Sequence, residues 1–90
     1  MINYVSEMAE ELGISINDTK NYITFSSIGG KILVINNYLK IITYSTSKVV
    51  LKAKDNVLNI EGENIVIKEL NKNSICLVGN IINLYFSKEV

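Results

Sequence analysis

The chain has 90 residues, of which 48% are hydrophobic, and its nine lysines balance nine carboxylates in the absence of arginine and histidine. This length limits the protein to one compact core, and the apolar content argues against a disordered chain. The neutral charge and the missing arginine argue against a nucleic-acid reader, because arginine makes the preferred bidentate contacts with phosphate and guanine.

Cysteine usage and the first residues bear on location. The single cysteine, Cys76, has no partner for an internal disulfide, which suits a reducing cytosol. Residues 1–13 lack the basic stretch and apolar run of a signal peptide. No apolar run reaches the length that spans a bilayer. We therefore expect a soluble cytoplasmic protein without a membrane span of its own.

The first thirteen residues have the pattern of a short amphipathic helix, which Asn3 can cap and Gly13 can end. Three apolar residues share one side and three glutamates lie elsewhere: Val5, Met8 and Leu12, and Glu7, Glu10 and Glu11. Because its charges are acidic, we expect this helix to pack on the sheet or on a neighbouring subunit rather than on a membrane.

From Tyr22 onward the apolar residues recur with a spacing of two, which is typical of strands. About eight short strands are predicted: Tyr22–Ile28, Lys31–Asn36, Lys40–Thr46, Lys48–Lys54, Val57–Glu61, Ile65–Leu70, Ile75–Val78 and Ile81–Phe86. The sequence thus indicates a mainly β protein with a single domain over residues 1–90, consisting of the helix at 1–13 and a β domain at 22–86.

Glycine and asparagine mark the predicted connections. Asp55 and Asn56 suit a two-residue hairpin turn, since both residue types tolerate positive φ. Gly62 and Gly79 each separate two apolar strand runs, and we expect a side chain to strain the backbone at either position.

Some predicted strands are apolar on both faces. Residues 32–35 are continuously apolar, and Val50 lies opposite Val49 and Leu51. The two faces need cover, so we expect a compact meander that forms a two-layer sheet or a barrel, with a short β-solenoid or stacked subunits as alternatives. With no proline to protect its edges, the sheet also favours a homo-oligomer or a protein partner.

No residues with the spacing of a catalytic, metal or cofactor site are present. General acid-base catalysis most often uses histidine, and zinc needs several Cys or His ligands. We therefore expect a protein that is not an enzyme, with no metal and no cofactor. Cys76, between Ile75 and Leu77, is interpreted as a small buried apolar residue.

Two short segments resemble ligand-binding loops but lack part of the residue pattern of each. Gly29, Gly30 and Lys31 resemble the end of a phosphate-binding loop, but the first glycine is missing, and we interpret them as a strand connection. Residues 61–64 contain two carboxylates without the ligand pattern of an EF-hand, and we interpret them as a surface turn.

Three segments in order carry a family resemblance: Ile35–Ser45 (INNYLKIITYS), Val57–Ile67 (VLNIEGENIVI) and Val78–Tyr85 (VGNIINLY). They resemble the hairpin, the Leu-x-Ile-x-Gly-x-Asn segment and the closing Gly-x-Ile strand of the YabP/YqfC family of sporulation proteins. The chain departs from that pattern at Tyr38, where histidine is frequent, and at Lys40, where glycine is usual. We therefore expect either that this turn differs in shape from the family's or that Asn37 alone takes the left-handed conformation.

The resemblance implies a noncatalytic structural or adaptor role in building the endospore envelope, through protein contacts. It implies a location in the mother cell, with access to the forespore membrane through a sporulation membrane protein encoded by a neighbouring gene.

A small barrel that binds a small ligand or nucleic acid is the alternative function. Its stacking candidates are Tyr22, Tyr38, Tyr44 and Tyr85, and a basic face of Lys40, Lys48, Lys52 and Lys54 around exposed tyrosines would support it.

Overall fold

The computed structural model describes residues 22–88, and this part of the chain contains six strands and no helix. The strands are β1 (Thr24–Ile28), β2 (Ile32–Asn36), β3 (Lys40–Tyr44), β4 (Lys48–Lys52), β5 (Val57–Leu70) and β6 (Ser74–Ser87). The mainly β prediction is confirmed, whereas the predicted helix at 1–13 lies outside the described residues.

The strands form one open antiparallel sheet in the order β1-β2-β6-β5-β4-β3. The meander prediction is wrong, because β2 pairs with β6 instead of with β3. A solenoid is also wrong, because all five strand pairings are antiparallel. The sheet does not close into a barrel, since β1 and β3 remain its two edges.

Four of the eight predicted strands are joined in pairs into two long strands. β5 and β6 have 14 residues each and form a hairpin that runs through the whole sheet. The register of this hairpin shifts between Glu61 and Gly62 and again between Glu63 and Val66. Such irregularities bend a strand pair without ending it. Gly62 and Gly79 therefore lie inside strands, at the bend, and not between strands.

The two glycines permit close contact between β5 and β6 at this bend. A Cβ atom on Gly62 would overlap the carbonyl oxygen of Asn80. Gly79 has a φ of 155°, and a Cβ atom there would lie 2.7 Å from the carbonyl oxygen of Asn64. The prediction that a side chain would strain these two positions is confirmed by this geometry.

The bend divides the sheet into two halves whose inner faces enclose one core. The first half consists of β1, β2 and residues 65–70 and 74–78; the second half consists of β3, β4 and residues 57–61 and 83–87. Both halves contribute to one contiguous cluster of buried side chains: Leu33, Ile35, Tyr38, Val49, Leu51, Leu58, Ile60, Ile65, Ile75 and Leu77. Strand alternation explains which side chains of β2 and β4 join this cluster, because every second residue of these strands points inward.

The connection from β2 to β3 carries the chain from the first half to the second. The Asn37 backbone N–H donates to the carbonyl of Asn73, which directly precedes β6 beside the first half, and the Leu39 N–H donates to the Lys52 carbonyl in the second. Asn37 has a φ of 65°, so the left-handed conformation, one of the two predicted alternatives, is the one observed. Tyr38, between them, is only 8% exposed and belongs to the core.

Two tight connections differ in how well the sequence predicted them. Gly29 and Gly30 have φ values of 57° and 68°, and the Lys31 N–H donates to the Ile28 carbonyl, which is a type I′ turn between β1 and β2. The two-residue turn predicted at Asp55 and Asn56 is wrong. β4 ends at Lys52, and a four-residue connection follows in which neither Asp55 nor Asn56 has positive φ.

Candidate interaction surface

An apolar row crosses the outer face of the first half. Ile28, Ile32, Val78 and Val66 lie opposite one another on β1, β2, β6 and β5. Opposite residues of antiparallel strands point to the same face, so the four side chains are adjacent. They lie on the face away from the core, and the exposed fractions are 69% for Ile28, 36% for Ile32 and 54% for Val66. We call these four residues the apolar row.

A second, half-buried row lies beside the apolar row. Val34 of β2 faces Cys76 of β6, and each is of intermediate exposure. Cys76 alternates with the fully buried Ile75 and Leu77, so its side chain points to the outer face. The interpretation of Cys76 as a buried core residue is therefore wrong. It extends the apolar part of the outer face as far as Glu69 of β5, which lies opposite Cys76.

The sequence predicted that both faces of β2 need cover, but not which residues would share the exposed face. The run from residue 32 to 35 splits into buried Leu33 and Ile35 and outward Ile32 and Val34. Val78 joins them only because β6 pairs with β2, which no local pattern indicates. Large contiguous patches of exposed apolar side chains are uncommon on monomeric proteins, which makes this row a candidate contact site.

The outer face of the second half is polar and is centred on Glu61. The Tyr85 hydroxyl donates to one carboxylate oxygen at 3.1 Å and the Asn83 amide donates to the other at 3.3 Å. The Lys48 ammonium lies 3.8 Å from the same carboxylate. Asn59, which is 6% exposed, donates to the Ser87 hydroxyl at 2.8 Å. The hydrogen bonds connect β5 and β6, and the Lys48–Glu61 ion pair adds β4.

The stacking surface of the alternative function is not assembled. Alternation places Lys40, Lys48 and Lys52 on the outer face of the second half, together with a single tyrosine, Tyr85. The other tyrosines lie apart from it: Tyr38 is in the core, Tyr44 donates to the Ile65 carbonyl, and the Tyr22 ring lies 4.8 Å from the Lys54 ammonium. The predicted candidates therefore do not form one platform for bases.

The two sheet edges differ in protection. β3 carries Lys40 and a register irregularity between Ile41 and Thr43, and its Tyr44 hydroxyl donates to the Ile65 carbonyl at 2.9 Å. β1 pairs with β2 in an unbroken register, and all five of its residues are exposed. Lysines and bulges are natural protection against edge pairing. β3 is therefore protected by a lysine and an irregular register, whereas β1 has neither a lysine nor a bulge.

The two ligand-like motifs take ordinary structural positions. Gly29 and Gly30 form the β1–β2 turn, as interpreted. Residues 61–64 are not a surface turn but part of β5 at the bend, where Asn64 has a φ of 54°. Among residues 22–88, no three His, Cys, Asp or Glu side chains are grouped as metal ligands.

Comparison with known proteins identifies the family. A model of the YabP family matches residues 17–90. The chain belongs to the YabP family. The match includes all six strands of this YabP-family protein, with the bend and the apolar row. No curated protein and no solved structure matches the chain. Within residues 22–88, no helix has the length and apolar character needed to cross a membrane.

Proposed function

We propose that this YabP-family protein is a noncatalytic adaptor domain that acts in endospore envelope formation through protein contacts. The apolar row is the observation that carries the proposal. It presents aliphatic side chains from four strands of one sheet, and the neighbouring Val34 and Cys76 widen it. Such a patch loses unfavourable contact with water when a partner covers it.

The partner that the family resemblance favours is a sporulation membrane protein in the mother cell. Through it, this domain would be held at the forespore membrane without a membrane span of its own. The patch supports contact with an apolar protein surface better than with an anionic one, because the apolar row contains no charged side chain. Apolar contacts at the centre of an interface supply much of the binding energy.

A matched pair of substitutions tests this proposal in sporulating cells. Val66→Glu places a charge within the apolar row, on a side chain that is 54% exposed and is therefore tolerated by the fold. Thr43→Glu places the same charge on an exposed residue of β3, in the other half of the sheet. Both variants keep the core residues intact.

The experiment is a pull-down of tagged protein from sporulating cells after the membranes are solubilised. We expect a sporulation membrane protein to be recovered with the wild type and with Thr43→Glu, and to be lost with Val66→Glu. Recovery of the same protein with all three chains would refute a role for the apolar row. If no membrane protein is enriched relative to an untagged strain, the adaptor role is refuted.

A further inference from the structure

The edge strand β1 has the properties of a strand that pairs with a copy of itself. All five residues from Thr24 to Ile28 are exposed, and none is charged. Within the described part of the chain, β1 pairs on one side only, with β2. An edge strand offers a row of N–H and C=O groups to any chain that matches it.

We propose that the protein forms a two-fold symmetric dimer by antiparallel pairing of β1 with β1 of a second copy, which joins two six-stranded sheets into one. The inference rests on the proposed function in one respect, since both assume that the domain works through protein contacts. The pairing uses the edge of the sheet and shares only Ile28 with the apolar row, so that Ile32, Val66 and Val78 stay free for the other partner.

The sequence of β1 favours a second copy as the partner. With the two-fold axis between the two Ser26 residues, two small hydroxyl side chains face each other. Phe25 then lies opposite Ser27 of the second copy, and Ile28 opposite Thr24, so that each large side chain meets a small one. Like charges facing each other across the axis would oppose pairing, and β1 has no charged residue to create such a contact.

The interface is small, so the dimer is weak. Five residue pairs bury less surface than the interfaces of stable complexes. Phe25 and Ile28, which are 43% and 69% exposed, supply the apolar contacts. We expect association in the micromolar to millimolar range, where a second contact such as a shared membrane partner would strengthen it by raising the local concentration.

Charge exchange at Ser26 tests the pairing in the full chain. Ser26→Lys and Ser26→Glu each place two like charges across the proposed axis, and we expect each to weaken the dimer by about tenfold or more. A mixture of the two variants should restore association, because opposite charges then face each other. Thr43→Lys on β3 is the control and should associate like the wild type.

Sedimentation equilibrium of the purified chains measures these outcomes, with circular dichroism to show that each variant is folded. A wild type that stays monomeric to millimolar concentration would overturn the proposal. So would a Ser26→Lys chain that associates as the wild type does, or mixed variants that stay monomeric. Val66→Glu should dimerise normally while losing the membrane partner, so the failure of this proposal and that of the proposed function are distinguishable.

Discussion

The backbone at the bend depends on a few residues that lack a bulky side chain or tolerate positive φ. Gly62 admits the carbonyl of Asn80, and Gly79 combines a φ of 155° with close contact to Asn64 and Ile65. Asn64 itself has a φ of 54°. Asparagine is among the few residues that take this conformation at low cost. The bend is therefore encoded by residue type at particular positions.

Alanine substitutions at three glycines separate steric overlap from backbone preference. Gly62→Ala and Gly79→Ala should each lower the free energy of unfolding by about 1 to 3 kcal/mol, because a Cβ atom meets backbone atoms that have little room to move. Gly29→Ala is the control, since it has a φ of 57° but no atom within 4 Å of its Cβ position. Gly29→Ala should lower the free energy of unfolding by less than the other two substitutions. Urea unfolding measures all three, and equal losses would contradict a steric role for the bend.

Sequence reasoning located these glycines but gave them the wrong context. Gly62 and Gly79 were predicted as positions between strands, because glycine usually interrupts a strand pattern. The structure keeps both strands continuous through a local shift in register. A register shift involves the partner strand, and the partner is not visible in the local pattern. The turn was misplaced because Asp55 and Asn56 suit a two-residue turn by residue type alone. The structure connects β4 and β5 by four residues instead.

At the scale of elements, the first four strands were predicted within one or two residues, and their order in the sheet was not. Alternation fixes which residues of β2 and β4 are buried, as the inward Leu33 and Val49 show. The insertion of β6 between β2 and β5 depends on contacts between residues far apart in the chain. The apolar row could not be predicted for that reason, although its exposed members Ile28, Ile32 and Val66 were all placed in strands.

One hydrogen bond fixes the edge strand β3 to the other half of the sheet. The Tyr44 hydroxyl donates to the Ile65 carbonyl at 2.9 Å. Tyr44→Phe should therefore lower the free energy of unfolding by about 0.5 to 1.5 kcal/mol, the net value of such a bond. Tyr85→Phe removes a hydroxyl that bonds to the exposed Glu61 side chain, and its effect should be smaller. Thermal unfolding compares the two, and a larger loss for Tyr85→Phe would contradict this role.

At the scale of the whole molecule, the two halves of the sheet share one core and should unfold together. The cluster of buried side chains joins Leu33 and Ile75 of the first half to Val49 and Leu58 of the second. Neither half encloses a core of its own, so neither should stay folded without the other. We therefore expect a single cooperative unfolding transition.

Urea unfolding followed by two probes tests this cooperativity. Far-ultraviolet circular dichroism reports the sheet, and tyrosine fluorescence reports the surroundings of tyrosines that include the buried Tyr38. We expect the two curves to have the same midpoint. A separate, earlier transition in either probe would show that the halves are independent units.

We propose that the apolar row makes the contact through which this YabP-family protein acts in spore formation. The most direct measurement is the count of heat-resistant spores in a spore-forming host whose only copy of the gene carries Val66→Glu, with Thr43→Glu as the matched control and the protein level followed by immunoblot. We predict that Val66→Glu lowers the count to that of a gene deletion, and that Thr43→Glu leaves it at the wild-type value. A wild-type count for Val66→Glu at an unchanged protein level would show that spore formation does not need the apolar row.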